Sequence, residues 1–209
     1  MLTFEVALSF FGIAVLLALA PGPDNLFVLV QSALWGKRSG MFVVLGLCTG
    51  LIGHTVAVAV GLAAVLAASQ TAFTVLKLAG AAYLLYLAWG AFRAQPTTSE
   101  SSRPVARQSA AALFRRGIIM NLTNPKVGLF FLAFLPQFTS PARGSVALQT
   151  ISLGALFMLA AFVVFSCIAF FSGTFGQLMQ RSPLAQRVLN WAAGVIFVGL
   201  ALKLALSSR

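Results

Sequence analysis

Apolar residues run along this chain in six long blocks, near 5–34, 41–68, 72–92, 114–138, 146–172 and 185–206. Each reaches the ~20 residues that a helix needs to cross the hydrocarbon core of a bilayer. Short polar punctuation separates them. Gly36-Lys37-Arg38-Ser39-Gly40 follows the first block and Ala68-Ser69-Gln70-Thr71 the second. Thr139-Ser140-Pro141-Ala142-Arg143-Gly144 follows the fourth, and Gln180-Arg181-Ser182-Pro183 precedes the sixth. Between residues 93 and 113 lies a stretch rich in Ser, Thr, Pro and Arg, too poor in apolar residues to fold alone, which reads as a flexible linker. The pattern predicts an all-α integral membrane protein with six transmembrane helices. Residues 1–93 form a first three-helix repeat, 94–112 a cytoplasmic linker and 113–209 a second three-helix repeat.

Composition strengthens this reading. Of 209 residues, 60% are hydrophobic and 8% charged, against roughly a quarter charged in an ordinary soluble domain. The balance of 14 Lys and Arg to 3 acids gives a net charge of +11. A nucleic-acid footprint needs those charges gathered into a patch interleaved with aromatics; here they sit singly or in pairs between apolar blocks, so no nucleic-acid partner is expected. They serve instead to orient the chain in the bilayer. The first, third and fifth connections hold nine: Lys37, Arg38, Arg93, Arg103, Arg107, Arg115, Arg116, Arg181 and Arg187. The other side holds four, Lys77, Arg143, Lys203 and Arg209, and Lys126 belongs to neither. The expected orientation puts both termini outside the cytoplasm. Ala18-Leu19-Ala20 mimics a signal-peptide cleavage site, but the residues before the apolar run carry Glu5 and no Lys or Arg. A signal peptide starts with positive charge, so the first block is expected to remain in the mature protein.

The two halves resemble each other. Val75 to Phe92, shifted by 113, matches Val188 to Ala205 at five of eighteen positions. Both the first and the fourth block are also broken by proline. Three spans followed by three more puts the halves in opposite orientations, the inverted-repeat plan of many secondary transporters.

The first break is Ala20-Pro21-Gly22-Pro23-Asp24-Asn25, near mid-depth in its block. Pro21, Gly22 and Pro23 interrupt a helix, and Pro23 suits the first position of a new half-helix. Asp24 then lies inside the membrane. The second break is Asn121-Leu122-Thr123-Asn124-Pro125-Lys126. Asn124 is a good cap and Pro125 a good first residue. Lys126 follows in the first turn, where the helix dipole disfavours a cation and calls for an anionic partner. An offset of 102 carries Pro23 onto Pro125 and Asp24 onto Lys126, so equivalent positions hold an acid and a base. Intramembrane charges are expensive and are read as functional by default. A zwitterionic amino acid fits such a site, with its carboxylate on Lys126 and its ammonium on Asp24. The bland alternative is a simple Asp24–Lys126 ion pair. Asn25, Asn121 and Thr123 flank the breaks and either bind substrate or satisfy freed backbone.

At these residues the chain resembles the lysine and homoserine/threonine exporter (LysE/RhtB-type) family. The resemblance rests on Pro21-Gly22-Pro23-Asp24, on Gly36 to Gly40 with its basic pair, and on Gly46, Gly50, Gly53 and His54. It continues through Leu76 to Leu84, Arg116-Gly117, Asn124-Pro125-Lys126 and Phe134 to Phe138, nearly the whole chain. It implies a bacterial inner-membrane exporter of amino acids or their derivatives, driven by proton motive force, with protons as coupling ion. No cofactor is implied, and a homo-oligomer is compatible with it.

Several residues carry two readings. His54, the one histidine, is a proton carrier beside Asp24 or a hydrogen-bonded packing residue. Gly46 and Gly50 have the spacing of close helix contact. Lys77 and Lys203 snorkel toward a surface. Tyr83 and Tyr86 share a helix face and either line a cavity or anchor at the interface. The stretch Phe175 to Val188 mixes apolar and basic residues and is expected along the inner surface. Cys48 and Cys167 lie in apolar blocks, which raises a thiol–disulfide electron carrier as an alternative, and a small ion channel is another. A membrane enzyme or haem protein is poorly supported, since one histidine cannot supply two axial ligands and no metal-ligand cluster is visible in the sequence.

Overall fold

A computed structural model describes residues 2–68, 70–95, 107–172 and 182–206. All its regular structure is helical among these residues: α1 Phe4–Leu19, α2 Pro23–Trp35, α3 Lys37–Ala68, α4 Gln70–Arg93, α5 Ala110–Leu122, α6 Pro125–Leu129, α7 Val146–Phe170 and α8 Pro183–Leu206. A π-helical stretch, Phe130–Phe134, and a 3₁₀ turn, Leu135–Phe138, extend α6 toward its end. Four helical spans are long and apolar enough to cross a bilayer: Lys37–Gly61, Thr74–Arg93, Val146–Phe170 and Pro183–Leu206. The pairs α1–α2 and α5–α6 are bent by 62° and 48° at their breaks, and counting each pair as one span brings the total to six. The first and fourth spans are thus the broken ones, at the two proline motifs.

The punctuation is tighter in space than in sequence. Gly36 alone makes the turn from α2 to α3, with φ of +84°, a left-handed conformation that favours glycine. The next residues therefore open α3 instead of extending the loop, and Lys37 lies over the ring of Phe170 at 5.1 Å, at the end of α7. Likewise α5 begins at Ala110, inside the stretch expected to be linker, because the Ser109 side chain accepts from Ala112 N–H and caps it. Arg103 and the rest of 96–106, Phe175 to Arg181, and Arg209 lie outside the described residues.

α3 is the hub. It packs against α5, α7 and α2, while α7 packs against α1 and α2, and α4 lies along α8. The α3–α5 crossing brings backbones together: a Cβ on Gly46 would strike the carbonyl oxygen of Phe114 and sit 3.0 Å from Gly117 Cα. One on Gly50 would lie 2.7 Å from Asn121 Cβ. These glycines act in close packing, as their spacing suggested. Gly46→Ala should lower the apparent melting temperature in detergent markedly, since backbone cannot yield as a side-chain tip can. Gly12→Ala and Gly90→Ala, where nothing lies within 4 Å, should be neutral by the same assay. Equal melting temperatures for all three would contradict the packing.

The core is built from apolar side chains such as Leu17, Val43, Leu47, Leu51, Phe131 and Leu153, all buried. Large apolar side chains also cover the outside, including Val75, Leu85 and Trp89 on α4 and Val188, Trp191 and Val195 on α8. So large an exposed apolar surface suits lipid, not water. Tyr86 belongs to this surface and Tyr83 touches its ring at 6.0 Å; neither lines the central cavity. Lys203 lies 4.9 Å over the ring of Phe138, so its charge rests on an aromatic face.

Candidate functional site

Each break removes a backbone donor, and a distant side chain replaces it. In an unbroken first span, Leu17 O would accept from the N–H of residue 21, but Pro21 has none. Lys126 fills the gap, donating from Nζ to Leu17 O at 3.3 Å and to Ala20 O at 3.1 Å. Asn25 Nδ2 donates to Ala18 O at 2.7 Å, so three of the last carbonyls of α1 are satisfied by side chains. At the second break Pro125 lacks the N–H that Asn121 O would otherwise take. That carbonyl accepts instead from Asn124 N–H at 3.0 Å and from His54 Nε2 at 3.1 Å. A carbonyl only accepts, so His54 carries hydrogen on Nε2 in this contact. Its ring also lies 5.6 Å from that of Phe131.

The location of Lys126 resolves an apparent conflict. It stands in the first turn of α6, the wrong helix end for a cation, yet its ammonium reaches the carboxyl end of α1, the favourable one. Gly22 makes room: a Cβ there would lie 3.2 Å from Nζ. Asp24, in the first turn of α2, has the favourable dipole directly.

Asn124 joins the breaks. Its Oδ1 accepts from Lys126 N–H at 3.0 Å, capping α6, while its Nδ2 donates to Asp24 Oδ2 at 2.8 Å. Asp24 Oδ1 is buried without a hydrogen-bond partner. Neither oxygen of Asp24 therefore takes a hydrogen bond from Lys126; the amide stands on the acid, and backbone carbonyls hold the base.

Asp24, Asn121 and Lys126 line a common cavity with Leu51, Phe157 and Phe165 among its apolar walls. Its free volume is about 10 Å³, the scale of one water and far below that of an amino acid. Of the residues singled out from sequence, Asp24, Asn121, Asn124 and Lys126 are buried together, with Asn25 and His54 tied to the carbonyls around them. Pro21, Pro23, Thr123 and Pro125 lie on the outer surface, and the Thr123 hydroxyl turns back to Ile119 O at 2.8 Å. Cys48 is buried in α3 and Cys167 exposed on α7, both as free thiols. Among the described residues no group of His, Cys, Asp and Glu is arranged to hold a metal.

Two features escaped the sequence reading. Six phenylalanines, Phe10, Phe130, Phe131, Phe134, Phe138 and Phe157, pack ring against ring with centroids 4.9–6.4 Å apart and reach the cavity wall through Phe157. No periodicity foretold this, because it joins α1, the π-helical stretch and α7. On the other side, Gln31 and Ser32 of α2 are buried with Oε1 and Oγ unpartnered. Their spacing from Asp24, seven and eight residues, was a readable signal of a shared helix face.

The sequence pattern of the family described as LysE type translocator matches residues 15–208. This chain belongs to that family. As a LysE type translocator it is a multi-pass membrane protein, of a class that moves solutes instead of transforming them. It is 34% identical over 197 residues to the homoserine/homoserine lactone efflux protein of Salmonella typhimurium, covering 94% of each chain. It is also 31% identical over 208 residues to an uncharacterized membrane protein, YrhP, of Bacillus subtilis, covering 96% of this chain and 98% of that one. An uncharacterized membrane protein of Vibrio cholerae is 32% identical over 209 residues, covering 96% and 97%. No solved structure matches this translocator.

Proposed function

We propose that the chain is a secondary-active exporter in a bacterial inner membrane, moving amino acids or amino-acid derivatives out of the cytoplasm at the expense of the proton motive force. The observation that carries this reading is the meeting of two broken helices around one small cavity with one acid and one base. Asp24 presents a buried, unpartnered oxygen there, an acceptor for a substrate ammonium. Lys126 uses two of its three donors on α1 carbonyls, which leaves one for a carboxylate. A zwitterion complements both. The named efflux relative handles homoserine and its lactone, which share an ammonium.

The small cavity calls for a conformational change during transport, because its volume cannot hold such a substrate until it widens. Helix neighbours support the inverted-repeat plan for 1–93 and 113–209, with α5 starting inside the 94–112 stretch that joins them on the cytoplasmic side in this plan. α3 packs on α7 and α4 on α8, each against its expected counterpart, while α5 against α3 mirrors α1 against α7. In this plan both termini face the periplasm. Asp24 carries the coupling proton, and His54, held on the second break, is placed to respond to it.

Counterflow in proteoliposomes tests the reading. Purified protein should exchange radiolabelled homoserine or a related amino acid saturably, and an imposed pH gradient should accelerate uphill movement. If no amino acid or derivative exchanges, the substrate class is wrong. If flux is non-saturable and indifferent to the gradient, the carrier mechanism is wrong.

A further inference from the structure

Beyond Asp24, α2 continues in a line of side chains, several of them polar, that the binding site does not use. Asp24, Val28, Gln31, Ser32 and Trp35 recur at helical spacing on one face. The line runs from the cavity toward the Gly36 turn and the Lys37–Arg38 pair, about 12 Å from Asp24 to Ser32 at the rise of an α-helix. Gln31 and Ser32 are 2% and 3% exposed, yet Gln31 Oε1 and Ser32 Oγ lack hydrogen-bond partners, as does the indole N–H of Trp35.

Four other helical hydroxyls among the described residues behave differently. Ser39, Thr49, Thr55 and Ser152 each return their hydroxyl to the carbonyl four residues earlier, at 2.8–3.1 Å. Ser32 does not, although Val28 O is in the same position. It sits instead at the junction of three helices: a Cβ on Gly40 of α3 would strike Ser32 Oγ and lie 3.1 Å from Ala169 Cβ of α7. Ser166 of α7, one turn before Ala169, also has a buried hydroxyl oxygen without a partner. Buried polar atoms without partners carry a desolvation penalty, and each asks for a state in which it is satisfied.

The two sides of the cavity differ in kind. The phenylalanine cluster adjoins one through Phe157, which belongs to both the cluster and the cavity wall. Gln137 Nε2 and Thr150 Oγ1 are also unpartnered, but they stand on separate elements, the 3₁₀ turn and α7. On the Lys37–Arg38 side Gln31, Ser32 and Trp35 stand together on one helix, with buried Val28 between them and Asp24 and with Phe165 on the cavity wall.

The geometry points to the α2–α3–α7 seam as the route by which a polar, ammonium-bearing solute passes between the Lys37–Arg38 face and the central cavity, with Gln31 and Ser32 as its hydrogen-bonding station. The inference rests on the exporter reading and adds the path and its residues. Small side chains at Gly40 and Ala169 keep the seam narrow enough to close and free of bulk when α2 swings away. In the open state the solute, or water ahead of it, satisfies the amide of Gln31 and the hydroxyl of Ser32.

Two measurements test this. First, Ser32→Cys in a Cys48→Ala/Cys167→Ala background is exposed to a charged, membrane-impermeant methanethiosulfonate in vesicles of known orientation. Labelling is expected from the Lys37–Arg38 face and not from the opposite face. No labelling from that face, or labelling from the opposite one alone, overturns the route. Second, Gln31→Leu is made in the otherwise unmodified chain. Homoserine counterflow per folded protein should fall about tenfold while thermal stability in detergent is unchanged or raised, since an unpartnered amide is removed. A purely structural glutamine would give lower stability with counterflow intact, and that result, or unchanged counterflow, overturns its role. If the unaltered protein exchanges no homoserine, the exporter reading is at fault for that solute, and the labelling pattern still decides the route.

Discussion

Asp24→Asn is expected to abolish efflux while the protein still inserts and folds. The substitution keeps the shape of the side chain, and its amide oxygen can still accept from Asn124 Nδ2, the contact now made at 2.8 Å. What it removes is the negative charge and the site that takes a proton. Losing a charge-assisted hydrogen bond to a substrate ammonium weakens binding by about 1.5–3 kcal/mol, or roughly 10- to 150-fold. Loss of the proton acceptor then uncouples whatever exchange survives from the pH gradient. Two assays separate these effects. Counterflow at high substrate measures exchange without a gradient, and gradient-driven accumulation measures coupling. Accumulation should be lost entirely and counterflow lowered about 100-fold at low substrate. Asp24→Glu retains charge and proton but displaces the oxygen, so it should keep coupling at a weakened affinity. Wild-type accumulation by Asp24→Asn would remove the carboxylate from the mechanism.

What could be read from the chain, and what could not, divides along a physical line. Six apolar blocks, two proline breaks and the Gly46–Gly50 contact were legible because each is written locally, in length, in a missing N–H or in helical spacing. The exact turn at Gly36 was not, since a single left-handed residue shortens the loop to one position and recruits Lys37 to Gly40 into α3. The site was legible in its members and less so in its wiring. Asp24 and Lys126 were marked by charge in an apolar chain, and Asn124 by its place before Pro125. That Asn124 reaches across to Asp24, a hundred residues away in sequence, depends on how the spans pack. The same holds for His54, whose partner is a backbone carbonyl of another span. Thr123 shared the motif but faces outward, because a helix turn separates neighbours in sequence by about 100°.

Lys126→Met should damage both folding and transport, and exchanging the two charges should not repair it. If Asp24 and Lys126 formed a simple ion pair, the double variant Asp24→Lys/Lys126→Asp would restore the attraction and much of the stability. The structure gives the lysine a different task. Its ammonium supplies hydrogen to Leu17 O and Ala20 O, the first of which lost its natural donor to Pro21. A methionine offers no donor, and an aspartate at 126 offers another acceptor where two already wait. Leaving two buried carbonyls unpaired costs about 2–6 kcal/mol, which in a membrane interior is not relieved by solvent. The lysine placed at 24 would stand in the first turn of α2, at the helix end that repels it. Thermal unfolding in detergent should therefore rank the unaltered protein first, Lys126→Met well below it, and the charge exchange no better than Lys126→Met. Lys126→Arg keeps donors but is too large for the space over Gly22, where Nζ already lies 3.2 Å from a would-be Cβ, so it should fold better than Lys126→Met and still fail to transport. Recovery of stability by the charge exchange would return the pair to a plain salt bridge. Without that recovery, the lysine is the piece that lets the first span break at Pro21 and still pass through lipid.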